Sequence, residues 1–443
     1  MLPDTRRAPA PTRARAEGGL ILVLYYSDRA PLRSSVRDHL YSFGRYADRP
    51  YIYVNLAVRR MPRWLGAVQI DAVVIHTILL AQRWHPPTFR RLAKRLEPIR
   101  QLTCTKIAIP QDDYIHTEAL GRFISHFGID HVLTCAPESE WRRIYGDLME
   151  GSVSFTRVLP GYLEPSTMQL VERLAQSSID RSVDIGYRAW RPDFSLGRHA
   201  LRKARIGEVV AERSKRFGLR TDISLRDEDT IFGDDWYRFM LGCRWMIGVE
   251  GGASVLDADG SIMQRTSAYI REHPTATFEE VERACFAGMD GSVHLVAISP
   301  RHLEACATRT AQILVEGSYS GVLEAGRHYL PLAADFSNLD DVLARVTDEG
   351  LRAEIAGNAY RDIVESGRFE YQSFVTDTVG LIAEPSLRLP QASGLLLLWS
   401  AILDRTSWQW VWLRWRIRRA GRHVLARIGL LDRVMAARAR RAG

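Results

Sequence analysis

The sequence predicts an α/β protein in which two Rossmann-like, doubly wound domains face a cleft, followed by an amphipathic helical tail. Three observations predict this class. Short apolar runs alternate with helical segments in two successive cycles, as in parallel sheets covered by helices. The 443 residues are enough for two complete hydrophobic cores. The composition of residues 386–443 differs from that of the rest of the chain, because tryptophan, leucine and arginine dominate there.

The first cycle is predicted to form an N-terminal domain over residues 19–175. Residues 1–18 form a Pro/Ala/Arg-rich leader without the apolar segment of a signal peptide, so we expect it to be disordered. The continuous apolar run LILVLYY at 20–26 is typical of a central parallel strand. The further strands are predicted at 50–57, 71–80, 105–114 and 130–136, and the helices near 87–98, 117–126 and 166–176.

The second cycle is predicted to form a domain over residues 176–385. It begins with the strand SVDIGYRA at 182–189 and a long helix at 196–218 that ends at Gly218. The further strands are predicted at 221–224, 245–252 and 311–317, and the helices at 235–244, 278–286, 339–348 and 351–366; residues 294–300 lead into the stretch 298–332. Two such domains in tandem leave a cleft between them, and ligand sites favour domain interfaces.

Charge and cysteine content exclude several classes of protein. The net charge is +8, but the residues from Asp404 onward alone carry +9, so residues 18–403 are slightly acidic. A basic globular face for nucleic acid is therefore disfavoured, and we expect no nucleic-acid partner. The five cysteines are scattered without a CxxC spacing, which argues against a zinc site or a disulfide framework and favours the cytoplasm.

The tail over residues 386–443 contains an apolar stretch, 394–403, that is about half as long as a bilayer-spanning helix. Four tryptophans follow, interleaved with arginines, and farther on apolar residues share one helical face. The tryptophans are Trp408, Trp410, Trp412 and Trp415; the apolar face comprises Val424, Leu425, Ile428, Leu431 and Met435. This pattern predicts a helix on an anionic membrane surface, through residues 394–443. The alternative is a helix packed on the protein body with a solvated basic face.

The stretch 298–332 has the features of an anion site. Ser299 is a good N-cap and Pro300 suits the first helical position, so a helix should begin there with free amide groups. Arg301, His302 and Glu304 lie in its first turns. After a buried strand, the glycine-punctuated loop 317–321 offers backbone amides and the hydroxyl of Ser320, next to Gly321, at the edge where α/β sheets bind ligands. We expect a sugar-nucleotide site.

Two carboxylates and one histidine are the catalytic candidates. Asp112 and Asp113 follow a predicted first-domain strand, where either could orient or deprotonate an acceptor hydroxyl, or could be a solvated loop carboxylate. His76 follows another strand. The DxD sequence at 257–259 could hold a divalent cation, but its place in a Gly/Ser-rich turn favours a simple turn. We therefore predict no metal ligands.

The segment SPRHLEACATRTAQILVEGSYSGVLEAGRHYLPLAADFSNLDDVL at 299–343 resembles the donor-binding region of group 1 glycosyltransferases of the GT-B fold, including the CgeB-like branch. DIGYRA followed by LGRHALRK is similar to the first strand, loop and helix of their donor domain, and GVEGGASVLDADG to a further segment. LRAEIAGNAYRDIVES is similar to their late helix, which precedes a crossover to the N-terminal domain. The resemblance covers residues 180–385.

The resemblance implies GT-B architecture, with the nucleotide-sugar donor in the second domain, the acceptor in the first, and retention of stereochemistry. Glu304 matches the glutamate that contacts the ribose hydroxyls. Arg188 and Lys203 are similar in placement to a basic pair that neutralises the diphosphate, although Arg198 or Arg202 could replace Lys203. The chain departs from the paired-glutamate motif, since Val296 stands eight residues before Glu304.

The predicted function is a metal-independent, cofactor-free glycosyltransferase whose co-substrate is a nucleotide-diphosphate sugar. We expect it in the cytoplasm, peripheral on the inner face of the plasma membrane, acting on an envelope glycan or lipid-linked acceptor. One alternative is a GT-B-fold sugar-nucleotide epimerase. Another is a noncatalytic, membrane-associated scaffold of an envelope-synthesis complex. The absence of a nucleophile elbow, a Walker loop, an HExxH motif and a GxGxxG fingerprint weakens hydrolase, kinase-like and dehydrogenase interpretations.

Overall fold

The computed structural model describes residues 18–176, 180–384 and 389–427. The first half contains a six-stranded, fully parallel sheet with the order β2-β1-β3-β4-β5-β6. Its strands are β1 (Leu20–Tyr25), β2 (Tyr51–Asn55), β3 (Ile70–Ile75), β4 (Thr105–Ala108), β5 (His131–Thr134) and β6 (Ser154–Arg157). The helices are α1 (Ser34–Tyr46), α2 (Thr77–Leu80), α3 (Pro86–Leu96), α4 (Thr117–Phe127), α5 (Trp141–Tyr145) and α6 (Pro165–Ala175).

The second half contains a five-stranded parallel sheet with the order β13-β12-β9-β7-β8. Its strands are β7 (Val183–Arg188), β8 (Thr221–Ser224), β9 (Cys243–Gly248), β12 (Ala311–Val315) and β13 (Leu330–Leu332), while β10 (Gly251–Ala253) and β11 (Leu295–Ala297) form a separate antiparallel ribbon. The helices are α7 (Gly197–Arg213), α8 (Asp234–Leu241), α9 (Ser261–Glu272), α10 (Phe278–Cys285), α11 (Pro300–Ala307), α12 (Leu339–Ala344) and α13 (Glu349–Ala359).

Two helices complete the described chain, α14 (Tyr371–Gly380) and α15 (Gly394–Arg427). The predicted class is confirmed, because two Rossmann-like parallel sheets face one cleft and a helical tail follows. Both faces of each sheet are covered, and β1 is therefore buried along its whole length. Strands that are buried on both faces have continuous apolar sequences, as the predicted strands do. Within the described ranges, no helix is both long and apolar enough to cross a membrane.

The chain returns to the first half near its end. Helix α14 lies within the range 176–385 predicted for the second domain, yet Tyr371, Phe374 and Val375 are buried in the same core as Ile21 and Val23 of β1. It packs on α1 because its apolar side chains complete a face of the first sheet that the first-domain helices leave open. The crossover implied by the resemblance is present here.

Backbone hydrogen bonds join the two halves at two places. In the first, the loop before α4 pairs with the loop before α9: His116 N–H donates to the Asp257 carbonyl at 2.7 Å and Asp257 N–H donates to the Tyr114 carbonyl at 2.8 Å. In the second, the two crossing connections pair with each other, since Leu163 N–H donates to the Phe369 carbonyl at 2.7 Å. These two contacts fix the sides of the cleft relative to each other.

Candidate functional site

A cavity of about 510 Å³ lies between the carboxyl ends of the two sheets. In the first sheet, the loops after β1, β4 and β5 reach it, and in the second sheet the loops after β7, β8 and β9 do. The second sheet reverses its strand order between β7 and β9, and ligands bind in such a crevice in open α/β folds. The cavity has the size of a small-ligand site.

Three cations from separate elements face this cavity. Lys203 extends from α7, Arg301 from the first turn of α11, and Arg33 from the loop before α1 of the other domain. Burial, together with the nearby Arg301 and Arg33, lowers the pKa of Lys203 to about 8, and Asp112 opposes this shift. Within the described residues, none of the three forms an ion pair. Their charges are therefore available to an anion.

Arg188 lines the cavity as predicted, but its charge is already engaged. Its Nη2 lies 2.7 Å from the Asp222 carboxylate, its Nη1 donates to two backbone carbonyls, and its guanidinium covers the Phe239 ring at 4.4 Å. The end of β7 lies beside β8, so Asp222 is in reach. Arg301 uses one nitrogen to donate to the Arg188 carbonyl at 2.6 Å. Arg198, the alternative cation, is paired with acidic side chains outside the cavity.

The beginning of α11 faces the cavity through Ser299, Arg301 and Glu304. Ser299 is the N-cap, although its side chain forms no capping hydrogen bond, and Pro300 follows as predicted. Trp236 of α8 donates its indole N–H to Glu304 Oε2 at 2.8 Å. Burial raises the pKa of Glu304, and the Trp236 hydrogen bond opposes that shift. The Trp236 hydrogen bond thus holds one oxygen of the Glu304 carboxylate in place, and Glu304 also lines the cavity.

Three residues of the predicted donor site lie elsewhere. His302 points away from the cavity into the sheet, where its ring contacts Gln312 Oε1 at 2.8 Å and the Val249 carbonyl at 3.3 Å. Successive residues of a helix are about 100° apart, so His302 cannot share the direction of Arg301. Burial lowers its pKa to about 4. Ser320 accepts a hydrogen bond from Ile298 N–H at 3.1 Å, and neither it nor Gly321 lines the cavity.

The loop 317–321 was expected to bind an anion, and it binds one from the protein itself. The buried Glu250 carboxylate accepts hydrogen bonds from the backbone amides of Ser318 and Tyr319 at 3.1 and 2.6 Å, and from the Ser318 hydroxyl at 3.0 Å. Glu250 follows β9, far from this loop in sequence. These amides are occupied by a carboxylate of the protein, so their assignment to a ligand is wrong.

Asp112 and Asp113 both line the cavity, in different environments. Asp112 is exposed, with a φ of 60°, whereas Asp113 is buried. Tyr145 donates to Asp113 Oδ2 at 2.7 Å and Thr134 donates to the same oxygen. Asp113 Oδ1 has no hydrogen-bond partner among the described residues. Burial raises the pKa of Asp113, against the opposing effect of Arg83. Arg83 Nη2 lies 3.9 Å from Asp113 Oδ1 and forms an ion pair with it. A buried carboxylate oxygen that accepts no hydrogen bond at the cavity wall suits a ligand hydroxyl.

His76 does not reach the cavity. Strand β3 ends at Ile75, earlier than predicted, and α2 begins at once, so the His76 side chain caps that helix by accepting from Ile78 N–H at 3.3 Å. Its other nitrogen lies 2.9 Å from His39. The ring is completely buried, and burial lowers its pKa. The catalytic role predicted for His76 is contradicted by this position.

The DxD sequence forms a helix cap. The Asp257 carboxylate accepts hydrogen bonds from the amides of Gly260, Ile262 and Met263 at 2.9 to 3.2 Å, and Asp259 accepts from Ser261 N–H at 2.9 Å. Both carboxylates thus saturate amides at the start of α9, as helix N-termini require. This agrees with the interpretation of the sequence as a turn.

Sequence reasoning missed three residues of the site. Arg33 and Trp236 lie in segments without a motif. Arg83 is buried and donates to four backbone carbonyls, including those of Gln111, Asp112 and Ile115, so it holds the loop that carries both aspartates. In the sequence, Arg83 is indicated only as an arginine next to an apolar segment, which is unusual for a buried position. This pattern does not indicate which groups Arg83 contacts.

The sequence matches no protein-family model and no curated protein. Solved structures to which the chain is similar include HepE of Anabaena in complex with UDP-glucose (11% identity, TM-score 0.42, 82% of this chain and 99% of that one). Others are sucrose-phosphate synthase of Thermosynechococcus elongatus (10%, 0.43, 82% and 98%) and UDP-forming α,α-trehalose-phosphate synthase of Burkholderia xenovorans in complex with glucose-6-phosphate (11%, 0.43, 83% and 100%). Assignment to the CgeB-like branch stays a prediction.

Proposed function

We propose that the protein is a glycosyltransferase that moves a sugar from a nucleotide-diphosphate donor to an envelope glycan or lipid-linked acceptor. The observation that carries the proposal is the cluster of Arg33, Lys203 and Arg301, none of which forms an ion pair in the described chain, although the carboxylates of Asp112, Asp227 and Glu304 act on them from nearby. Three partly buried cations around one cavity repel each other unless an anion lies among them. A diphosphate supplies that anion.

Each part of the donor and acceptor has a residue suited to it. The three cations stabilise the negative charge that develops on the departing nucleoside diphosphate. Glu304, an acceptor held by Trp236, binds the ribose hydroxyls. Asp113 Oδ1, on the opposite wall, orients the acceptor hydroxyl, with the exposed Asp112 beside it. Val296 lines the cavity where the resemblance implies a second glutamate, so the donor sugar has a different contact there.

We propose that the reaction proceeds without a metal ion and with retention of stereochemistry. The engagement of Asp257 and Asp259 in helix capping supports the first part, because these carboxylates are not free to hold a cation and a diphosphate. Retention rests on the resemblance alone and is tested by the anomeric configuration of the product. The five unpaired cysteines support a cytoplasmic location, and we place the protein at the inner face of the plasma membrane.

Thermal-shift measurements and calorimetry with UDP-, GDP-, ADP- and CMP-sugars test the donor site. We expect one nucleotide diphosphate to stabilise the protein, and Glu304→Gln to weaken its affinity by about tenfold, since a hydrogen bond to a charged group contributes about 1.5–3 kcal/mol. Glu354→Gln, on the exposed side of α13, is the matched control and should leave the affinity unchanged. Equal affinity of wild type and Glu304→Gln for every nucleotide would contradict the assignment.

The same assays separate the two alternatives. A sugar-nucleotide epimerase would isomerise the donor when no acceptor is present, whereas a transferase needs both substrates. A noncatalytic scaffold with a degenerate site would bind none of the nucleotides. Val296, which stands where the resemblance implies a glutamate, is the feature of the sequence that favours this alternative. The unpaired cations favour a functional site over a degenerate one.

A further inference from the structure

Helix α15 packs on the first domain through a mixed side, which contains buried polar residues as well as apolar ones such as Leu397 and Trp408. The side that faces the protein carries Ser400, Asp404, Ser407 and Val411, each 4% exposed or less. The opposite side, here called the outer face, carries large apolar residues that solvent reaches, with Leu395, Trp399 and Ile417 exposed by 72, 60 and 62%. The outer face consists of Leu395, Leu398, Trp399, Ile402, Trp410, Leu413 and Ile417.

A specific polar contact fixes the orientation of the helix. The buried Asp404 carboxylate accepts hydrogen bonds from the hydroxyls of Tyr25 and Tyr41 at 2.6 and 2.8 Å. Trp408, one turn later, donates to the Tyr41 hydroxyl and stacks on the Tyr25 ring, with 6.1 Å between the centroids. Rotating α15 to hide its outer face would expose two tyrosine hydroxyls and remove both donors from a carboxylate. The outer face therefore stays outside.

The surroundings of the outer face indicate what covers it. Arg405, Arg414 and Arg416 are exposed and flank the apolar stripe on both sides. A stripe of tryptophan, leucine and isoleucine bordered by arginine is complementary to an anionic phospholipid surface, where rings and aliphatic chains enter the acyl boundary and cations meet the headgroups. One side of the helix is bound to protein, so lipid can reach only the other.

We propose that the outer face of α15 docks on an anionic lipid surface as part of the folded domain, with the helix lying in the plane of the interface. The helix leads toward the cavity: Arg418 near its end is 4.0 Å from Asp28, which lies on the loop between β1 and α1 that also carries Arg33. This deepens the proposed function and rests on it in one respect, since a lipid-linked acceptor would then reach the cavity from the bound surface.

Co-sedimentation of the full chain with vesicles of phosphatidylglycerol and phosphatidylcholine tests the proposal. We expect binding to the mixed vesicles and much weaker binding to phosphatidylcholine alone. Trp399→Ser and Leu413→Ser should each weaken binding by about tenfold, because each removes the burial of one large apolar side chain. The matched control is Phe217→Ser, which removes an exposed aromatic residue from the second domain and should change nothing.

Further measurements make the outcome decisive. Unchanged nucleotide-induced thermal shifts in Trp399→Ser and Leu413→Ser would show that folding and the donor site are intact, so loss of docking is distinguishable from failure of the proposed function. Absence of vesicle binding by the wild-type chain overturns the proposal. Dimers in solution that Trp399→Ser dissociates, without vesicle binding, overturn it in favour of a second copy of the chain. Equal binding to both vesicle types overturns its electrostatic part.

Discussion

At the scale of single residues, the cleft contains two kinds of arginine. Arg188 is held by Asp222, by two carbonyls and by the Phe239 ring, so its charge is already neutralised. Arg33 has no ion pair among the described residues, and partial burial followed by repulsion from Arg301 lowers its pKa. The free energy gained from a bound phosphate should therefore be larger at Arg33 than at Arg188.

Comparison of two charge-removing variants tests this difference. We expect Arg33→Gln to weaken binding of the nucleotide diphosphate by about tenfold or more, because a charge-assisted hydrogen bond is lost. Arg188→Gln should have a smaller effect on affinity and a larger one on the thermal midpoint, because it breaks contacts within the fold. Calorimetry with the diphosphate and with the free nucleoside distinguishes them: the nucleoside should bind both variants like the wild type. The reverse order of affinities would contradict the assignment.

At the scale of elements, the contact between α15 and the first domain includes one buried carboxylate, that of Asp404. Burial raises the pKa of Asp404 to about 6, although the hydrogen bonds from Tyr25 and Tyr41 oppose the shift. An aspartate in an unfolded chain has a pKa of about 3.9. Between these values the folded protein binds more protons than the unfolded one, so stability falls as the pH rises through this window.

Asp404→Asn should remove this dependence. The wild-type chain is expected to lose up to about 3 kcal/mol of stability through Asp404 between about pH 4 and pH 6, because the pKa difference is about two units. The variant cannot ionise at this position, so the part of the pH dependence of stability that comes from Asp404 should be absent. Thermal midpoints of both proteins over this pH range measure the difference, and the Arg59 side chain, which also influences Asp404, is present in both. Parallel curves would show that Asp404 does not titrate there.

The elements were largely predictable from the sequence, but the site was predictable only where the signal is local. Apolar runs and caps indicate the strands and helices, and Ser299, Arg301 and Glu304 are close together on one helix start. The positions of His302 and His76 depend on which way a side chain leaves its element. The Glu250 carboxylate accepts hydrogen bonds from the backbone of a loop more than sixty residues away. No local sequence pattern indicates this pairing.

At the scale of the whole molecule, the first domain is completed by a late segment of the chain. Phe374 of α14 is 3% exposed and packs in the core of the first sheet. The boundary predicted at 385 follows the end of the family resemblance, which covers residues 180–385. Tyr371 and Val375 lie in the same core as β1, although more than three hundred residues separate them from it in the sequence. Periodicity alone does not indicate which of the two cores such side chains join.

Phe374→Ala should therefore destabilise the first half specifically. Removal of a buried phenylalanine costs about 3–5 kcal/mol. Hydrogen exchange should accelerate in β1 and leave β7 protected, whereas Ile355→Ala, in the core of the second sheet, should give the opposite pattern. If β7 rather than β1 lost protection in Phe374→Ala, α14 would belong to the second half in solution.

The two places where backbone hydrogen bonds join the domains restrict how they can move. One pairs Tyr114 and His116 with Asp257, and the other pairs Leu163 with Phe369 and Tyr371. A sliding movement of one domain along the other would break the backbone hydrogen bonds at both places. Apolar side chains of both halves also share one buried cluster, which includes Leu196 and Leu295 of the second half. A phosphate held by Arg33 on one side and Arg301 on the other would add an electrostatic link between domains that the backbone already joins.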